Sequence, residues 1–419
     1  MSEVSLDGYN PMDPATQQNP FPYYAALRDR APVYRGPNGI FFVSRHAAVQ
    51  EVLRQPNTFS SMWFNSAAPP PIPGAEKERE AILADGYPAI NTMLTLDPPL
   101  QTRYRKTVGR AFSTKRIESL EPRIRETAAR LLDAWPERGR VDFMRELSIP
   151  LPVSVIAHAL CIPTERERDV KRWSDDSVAA IGTKISKERG LEIARSIVRM
   201  QHYLASLIEG RRSAPQDDFL SDFVQVEFED GAGQRRRLEI PEMLSILQQL
   251  MVAGNEATTK GINEILKLLI ENPHEWKRIQ EDPARIPAMA DEGLRLASPN
   301  QGLFRICTED TEVAGTAIPK GSMLWVMFGS ANRDERVFPD PDRFDPDRDN
   351  LNESLAFGRG AHFCIGAPLA RLELRVLFEE LSRRIETVAF AAGTTLRYAP
   401  SFILRGLVSL DIEVTQRAA

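Results

Sequence analysis

Phe357-Gly358-Arg359-Gly360-Ala361-His362-Phe363-Cys364-Ile365-Gly366 places one cysteine among glycines, directly ahead of a helical pattern that begins Ala367-Pro368-Leu369-Ala370-Arg371. An isolated cysteine is ordinarily a small buried hydrophobe. Here its surroundings change the reading. Glycines at 358, 360 and 366 let the backbone turn tightly and bring amides toward the sulfur, and the helix that follows presents the positive end of its dipole. Those are the conditions a thiolate metal ligand needs. The other cysteines, Cys161 and Cys307, form no C-x-x-C pair, so no disulfide framework is expected and a reducing cytoplasm fits best.

Working outward, the residues before this loop, Asn332 to Arg348, are rich in Pro and Asp and read as an irregular meander. Residues 311 to 328 alternate and turn like small strands, as do residues 31 to 44 around Pro37-Asn38-Gly39, and the run from Thr395 to Thr415 also reads as strands. Residues 57 to 98 show no clear period, and a loop of that length is usually functional. From Gln101 to about residue 240 the pattern is mostly helical, broken at Pro136, Pro150, Pro163, Pro215 and Asp230-Gly231. The segment from Pro241 to Pro273 is apolar in majority, runs about eight turns and has no supercoil heptad, so it should cross the middle of the molecule. Its Gly254 costs about 1 kcal/mol relative to alanine, which suggests a helix opened there into a groove. No repeat or linker divides the chain, and residues 1–419 are expected to form one mainly α domain with small β-sheets.

Charge and composition narrow the class. With 53 Lys+Arg against 58 Asp+Glu the net charge is −5, which leaves no nucleic-acid footprint. No apolar run approaches the roughly 18 to 20 residues that span a bilayer, and the polar, Pro-containing opening has no apolar signal core. A soluble cytoplasmic protein with no membrane anchor is expected.

The ten-residue loop matches the haem-binding pattern F-G-x-G-x-H-x-C-x-G at every specified position, and on that basis the chain resembles the soluble bacterial cytochromes P450. The resemblance runs from Asn19-Pro20-Phe21 through Leu96-Asp97-Pro98-Pro99 to the final strands. It implies haem b held between the long central helix and the Cys-loop helix, with Cys364 as axial thiolate and Phe357, Gly358 and Gly366 shaping the loop. Glu292 and Arg295 match the family's E-x-x-R pair, with Arg343 expected to complete the ion network. Arg105, Arg305 and His362 stand where the family places propionate partners, and Gln101, where many members have His, is expected to donate only a neutral hydrogen bond to the cofactor. The oxygen-handling turn reads Ala253-Gly254-Asn255-Glu256-Ala257-Thr258-Thr259. It keeps the acid, Glu256, but has Ala257 in place of the usual first Thr, so proton relay is left to Thr258, a substrate hydroxyl or ordered water.

The implied activity is monooxygenation of a mainly apolar small molecule with O2. A thiolate ligand favours O–O cleavage, and the chain carries no flavin or Fe–S motif, so a separate ferredoxin and NAD(P)H-dependent reductase must supply electrons. Arg103, Lys106 and Arg110 would face the ferredoxin. Expected pocket-lining residues are Trp63, Phe64, Ile90, Gln249, Val252, Ala253, Asn300, Gln301, Leu303, Phe402 and Ile403, with Gln249 a candidate for binding a substrate oxygen. A peroxide-driven peroxygenase and a non-turnover haem sensor are the alternatives.

Overall fold

Apolar residues at helical spacing dominate from residue 100 onward, and the computed structural model, which describes residues 4–7, 9–63, 74–179 and 185–418, is correspondingly helical. The helices that build the site are α1 (Glu76–Leu83), α2 (Leu100–Ala111), α3 (Glu121–Asp133), α4 (Pro150–Ala159), α5 (Glu167–Val178), α6 (Lys187–Ser213), α7 (Ile240–Glu271), α8 (Ile286–Ala297) and α9 (Ala367–Arg384). The strands that matter here are β1 (Val33–Arg35), β2 (Phe41–Val43), β3 (Phe59–Ser60), β4 (Arg138–Asp142), β5 (Leu303–Cys307), β6 (Met323–Val326), β7 (Ile385–Phe390) and β8 (Asp411–Gln416).

Helix α7 is the expected central element. Leu244, Leu247, Leu250, Met251, Ile262, Ile265 and Leu269 are all buried along it, the distribution of a helix packed on more than one side. Its start is fixed by a capping box, Glu239 with Glu242. Glu242 also accepts hydrogen bonds from Tyr104 of α2 (2.5 Å) and Arg236 (2.7 Å), so the helix begins anchored. α4, α5, α6 and α8 pack against it. The helix is continuous through residue 254, which corrects the expected opening there: a Cβ at Gly254 would lie 2.7 Å from the side chain of Ile156 on α4. The glycine lets two helices approach closely and does not open a groove.

Among the described residues, one sheet has the order β1-β2-β6-β5-β3, and another has β7-β8-β4. The hairpin around Asn38-Gly39 forms as read, with Val33 opposite Val43. In the first sheet Trp325 sits opposite Phe304 and Leu324 opposite Arg305. Because side chains alternate between faces, Phe304 and Trp325 point one way while Leu303 and Arg305 point the other.

Several expectations are corrected. Residues 57 to 98 contain α1, whose exposed polar composition hid its short apolar stripe. β4 interrupts the helical stretch, and β7 follows α9 directly. Most of residues 395–410 form only isolated bridges, Tyr398 with Leu407 and Asn300 with Leu404, before β8 begins. Strand pairing between distant segments, which local alternation does not report, decides these cases. Pro150 starts a helix instead of ending one, a position where its missing N–H costs nothing.

Candidate haem-thiolate site

The Cys loop is closed by a backbone hydrogen bond from Cys364 N–H to the Phe357 carbonyl (2.9 Å). Gly358 and Gly360 take positive φ, 66° and 74°. A Cβ at Gly360 would also lie 2.5 Å from the Leu53 carbonyl oxygen, so both backbone conformation and space demand glycine there. Gly366 needs no such freedom: its φ is −86° and it caps α9. Phe357 packs beneath the Arg371 guanidinium, 4.7 Å from its ring centre.

The backbone amides of Gly366 and Ala367 favour the Cys364 thiolate, the direction the local pattern predicts. Burial nevertheless outweighs them, together with Arg105 and Arg371, and pushes the thiol above its ordinary range. A metal cation on the sulfur supplies the missing stabilisation and deprotonates it outright. Among the described residues no group of three His, Cys, Asp or Glu side chains could hold a bare ion. A lone cysteine therefore suits an iron that brings its other ligands with it.

The basic groups around the loop also ask for an anion. Arg305 is buried, its Nη1 donates to the adjacent Phe304 carbonyl (2.7 Å), and burial lowers it to about 10, with Asp97 opposing. Arg105 is half-buried, is lowered by burial, and has no carboxylate within 4.0 Å among the described residues. His362 is held near 4 by burial and by Arg305 and Arg105, so it is neutral and bonds Ser61 Oγ at 3.0 Å. It can offer a hydrogen bond but not charge. Two desolvated arginines converging on one histidine beside a cysteine loop fit the two propionates of a porphyrin. Gln101 differs from expectation: its Nε2 donates to the Ala361 carbonyl (2.7 Å) and its Oε1 accepts from Thr102 (3.1 Å), so the side chain braces the loop. Asp97, which sequence reasoning passed over, accepts from Ser60 Oγ (2.5 Å) and Ser61 N–H (2.7 Å) and ties β3 to this cluster.

Glu292 and Arg295 are both fully buried and paired through two bonds of 2.6 and 2.7 Å. Arg343 does not complete the network. Its side chain is 64% exposed and pairs with Asp345, and only its carbonyl meets Arg295. Arg348 takes the role, donating to Glu292 Oε1 at 3.1 Å from a position 5% exposed. The meander holds two copies of Asp-Pro-Asp-Arg, 340–343 and 345–348, and only the turn geometry separates them.

On α7, Ala253 is exposed in mid-helix, and Ala257, one turn on, is partly exposed. Gln249, Ala253 and Ala257 share one stripe by their four-residue spacing, and that stripe borders open space. Val252 beside it is half-buried. Thr258 is not on it: it is buried, and its hydroxyl donates to the Gly254 carbonyl (3.1 Å). Glu256 pairs with Lys260 (2.5 Å) and reaches Lys171 of α5 (3.9 Å). Burial pushes its carboxyl up, but Lys260 and Lys171 win and hold it below the usual range. Asp175, beside it, is raised by burial, with Lys171 opposing.

The remaining pocket residues divide. Trp63, Phe402 and Ile403 cluster with Phe304 and Trp325, with Trp63 5.2 Å from Phe304 and Phe402 5.2 Å from Trp325, on the sheet face away from Arg305. That packing accounts for them without a ligand. Gln301 is corrected outright: it is buried, donates to the Ser298 carbonyl (2.7 Å) and accepts from Tyr24 (3.0 Å), so it braces the end of α8. Asn300 caps Gly302 N–H at 3.2 Å. Leu303 shares the Arg305 face. Ile90 N–H donates to Ser245 Oγ of α7 (3.0 Å), which holds its loop against the central helix. Phe64 lies outside the described residues.

The sequence profile of the family described as Cytochrome P450 matches residues 185–387. The vitamin D(3) 25-hydroxylase of Pseudonocardia autotrophica is 36% identical, over 96% of this chain and 95% of its own. The chain belongs to the cytochrome P450 family. The steroid C26-monooxygenase of Mycobacterium tuberculosis is 33% identical, over 94% of this chain and 93% of its own. The structure of cytochrome P450 CYP109Q5 from Chondromyces apiculatus superposes with a TM-score of 0.86 at 33% identity, covering 99% of this chain and all of that one. The P450 fold expected from the Cys loop is therefore present, and the chain is a haem-thiolate monooxygenase. No helix among the described residues is long and apolar enough to cross a membrane.

Proposed function

We propose that this P450 oxidises a mainly apolar polycyclic molecule, by hydroxylation, dealkylation or epoxidation, within one domain spanning residues 1–419. The observation that carries the proposal is the convergence of Cys364, Arg105, Arg305 and His362 on one side and the open Gln249-Ala253-Ala257 stripe of α7 on the other. Cys364 would hold the iron, Arg105 and Arg305 would neutralise the propionates, and His362 would add a neutral hydrogen bond. Bound there, haem supplies the activation of O2 that puts one oxygen atom into a C–H bond and releases the other as water. The relatives named for vitamin D(3) and steroids support a substrate of that size and polarity. Reconstitution with ferredoxin, reductase and NAD(P)H should give product from a steroid or secosteroid panel, whereas hydrogen peroxide alone should not. The reverse result would favour a peroxygenase. Cytoplasmic placement is part of the proposal, consistent with three free thiols.

Each turnover consumes two protons, and the chain has to deliver them. Glu256 is ionised, reaches the surface through Asp175 and Lys171, and is suited to collecting them. The Ala257 methyl cannot hold the last water, and Thr258 is engaged elsewhere. Part of the electron flow is therefore expected to leave as hydrogen peroxide. Ala257→Thr should raise product per NAD(P)H, and Glu256→Gln should slow turnover while leaving the carbon-monoxide spectrum intact. If the wild type is already tightly coupled and Ala257→Thr lowers product yield, a substrate hydroxyl is the relay.

Electrons should enter at α2. Lys106 and Arg110 are exposed, with no carboxylate within 4.0 Å among the described residues, while Arg103 leaves the expected patch because it is tied to Glu229 (3.2 Å). Arg110→Glu should slow reduction by an acidic ferredoxin and flatten its dependence on ionic strength. Stopped-flow reduction that is insensitive to both salt and charge reversal would move the docking site elsewhere.

A further inference from the structure

Asn255, the residue before Glu256 on α7, is 1% exposed, and its amide reaches across to another helix. Its Nδ2 donates to Ser174 Oγ of α5 at 2.7 Å and to the Met251 carbonyl of its own helix at 2.8 Å. Ser174 is itself fully buried. A second, partly buried tie lies two turns back on α7, where Gln248 Nε2 donates to Ser177 Oγ (3.0 Å), while Gln249 beside it turns to Thr92 Oγ1 (2.8 Å). Val170 and Trp173 are buried on α5 as well. Apolar burial is non-directional, so it holds a helix down without fixing its rotation, whereas a hydrogen bond weakens steeply once its angle is lost.

On α5, Lys171 lies one turn before Ser174 and Asp175 directly after it, so the rotation of the helix at Ser174 decides how both groups face Glu256. We infer that Asn255 and Ser174 are positioning residues for proton delivery: their hydrogen bond fixes α5 at the rotation that brings Lys171 Nζ within 3.9 Å of Glu256 Oε1. Both roles rest on the proposal that Glu256 collects the protons. Among the described residues, the charged groups facing Glu256 are Lys260 on its own helix (2.5 Å) and Lys171 and Asp175 on α5. His158, the titratable side chain of α4, is lowered by burial and by Arg123 and is not among them. Lys260 is joined to Glu256 by the i, i+4 spacing of one helix and stays whatever α5 does. Lys171 stays only if α5 does. Without the Asn255–Ser174 bond the apolar seat keeps Glu256 buried while Lys171 turns away, so the carboxyl loses one of the two ammonium groups that hold it ionised and takes up a proton more readily.

Infrared difference spectra of the haem-loaded protein test this without turnover. The carbonyl stretch of protonated Glu256 is assigned by its loss in Glu256→Gln and followed to the lowest pH at which the carbon-monoxide spectrum is intact. At that pH Ser174→Ala should raise the ratio of protonated to ionised Glu256 roughly 2- to 5-fold over wild type, the range of a partly exposed ion pair. Asn255→Leu should do the same. Lys171→Met should match that gain, and Ser174→Ala added to Lys171→Met should give nothing more, because both act through one contact. Ser177→Ala, which cuts the other tie, should leave the band as it is in wild type. The acid limb of the turnover profile should also move to higher pH in Ser174→Ala, a change that loss of stability alone would not produce. An unchanged band in Ser174→Ala, a gain that adds to that of Lys171→Met, or an equal gain in Ser177→Ala would overturn the inference. So would a weaker band, which would mean that α5 lifts and lets water reach the carboxylate. If Glu256→Gln itself leaves turnover unchanged, the proton-delivery reading fails, while the infrared ratio still decides whether Asn255 and Ser174 place Lys171, so the two failures are told apart.

Discussion

Cys364→Ser should abolish the long-wavelength Soret band that thiolate ligation gives the reduced carbon-monoxide complex, and with it all NAD(P)H-driven product formation. The physical reason is that the strong electron donation comes from sulfur alone; a serine hydroxyl keeps the size of the side chain but not the donor. The hydrogen bond that closes the loop, from Cys364 N–H to the Phe357 carbonyl (2.9 Å), is backbone to backbone, so it survives the substitution and the loop should stay folded. Haem content and far-UV circular dichroism check that point independently. A variant that kept the band would transfer the ligand role to Cys161 or Cys307. Neither lies in a glycine-rich loop ahead of a helix.

The second large effect is on stability. Glu292 is fully buried and accepts from Arg295, Arg348 and the Asp345 amide. Removing one partner of a buried pair strands the other charge, which typically costs about 3–5 kcal/mol, so Glu292→Ala should come close to unfolding the protein or stripping its haem. Arg348→Ala should also be strongly destabilising, because it withdraws a nearly buried guanidinium that spans Glu292 and three meander carbonyls, those of Pro339, Asp340 and Arg343. Arg343→Ala should fall within about 0.5 kcal/mol of wild type, the usual range for an exposed surface substitution. Urea denaturation of the three variants checks the order. Equal losses at 343 and 348 would return Arg343 to the network.

Much of the site was legible because its demands are local. The Cys loop needs two glycines at positive φ and a helix start within ten residues, and each demand leaves a residue type in the sequence. The E-x-x-R pair was legible for the same reason, since an i, i+3 spacing on one helix puts both groups on one face. Arg348 was missed because the meander has no period: Asp-Pro-Asp-Arg occurs twice, and a turn, unlike a helix, does not tell which copy points inward. Helix α1 was missed because most of its face is exposed and charged. Gln101 and Gln301 were misassigned because an amide can serve a ligand or a backbone carbonyl equally well, and its residue type does not distinguish them.

The sequence by itself determined the chemistry: a lone cysteine in a glycine loop ahead of a helix, two arginines and a histidine around it, an acid without its usual neighbouring threonine, and a long apolar helix to face them. Those features are set by covalent order and by backbone conformations that span a few residues. Only the tertiary structure decided where the side chains of α7 point. Gly254 meets Ile156 from a helix about a hundred residues earlier, Thr258 turns back onto its own helix, Glu256 is drawn toward Lys260 and Lys171, and Gln249 gives its amide N–H to Thr92. Each outcome depends on the rotation and packing of helices far apart in the chain. A rotation of 100° per residue turns one position into wall, core or proton carrier, and local sequence carries no record of which neighbour will be there.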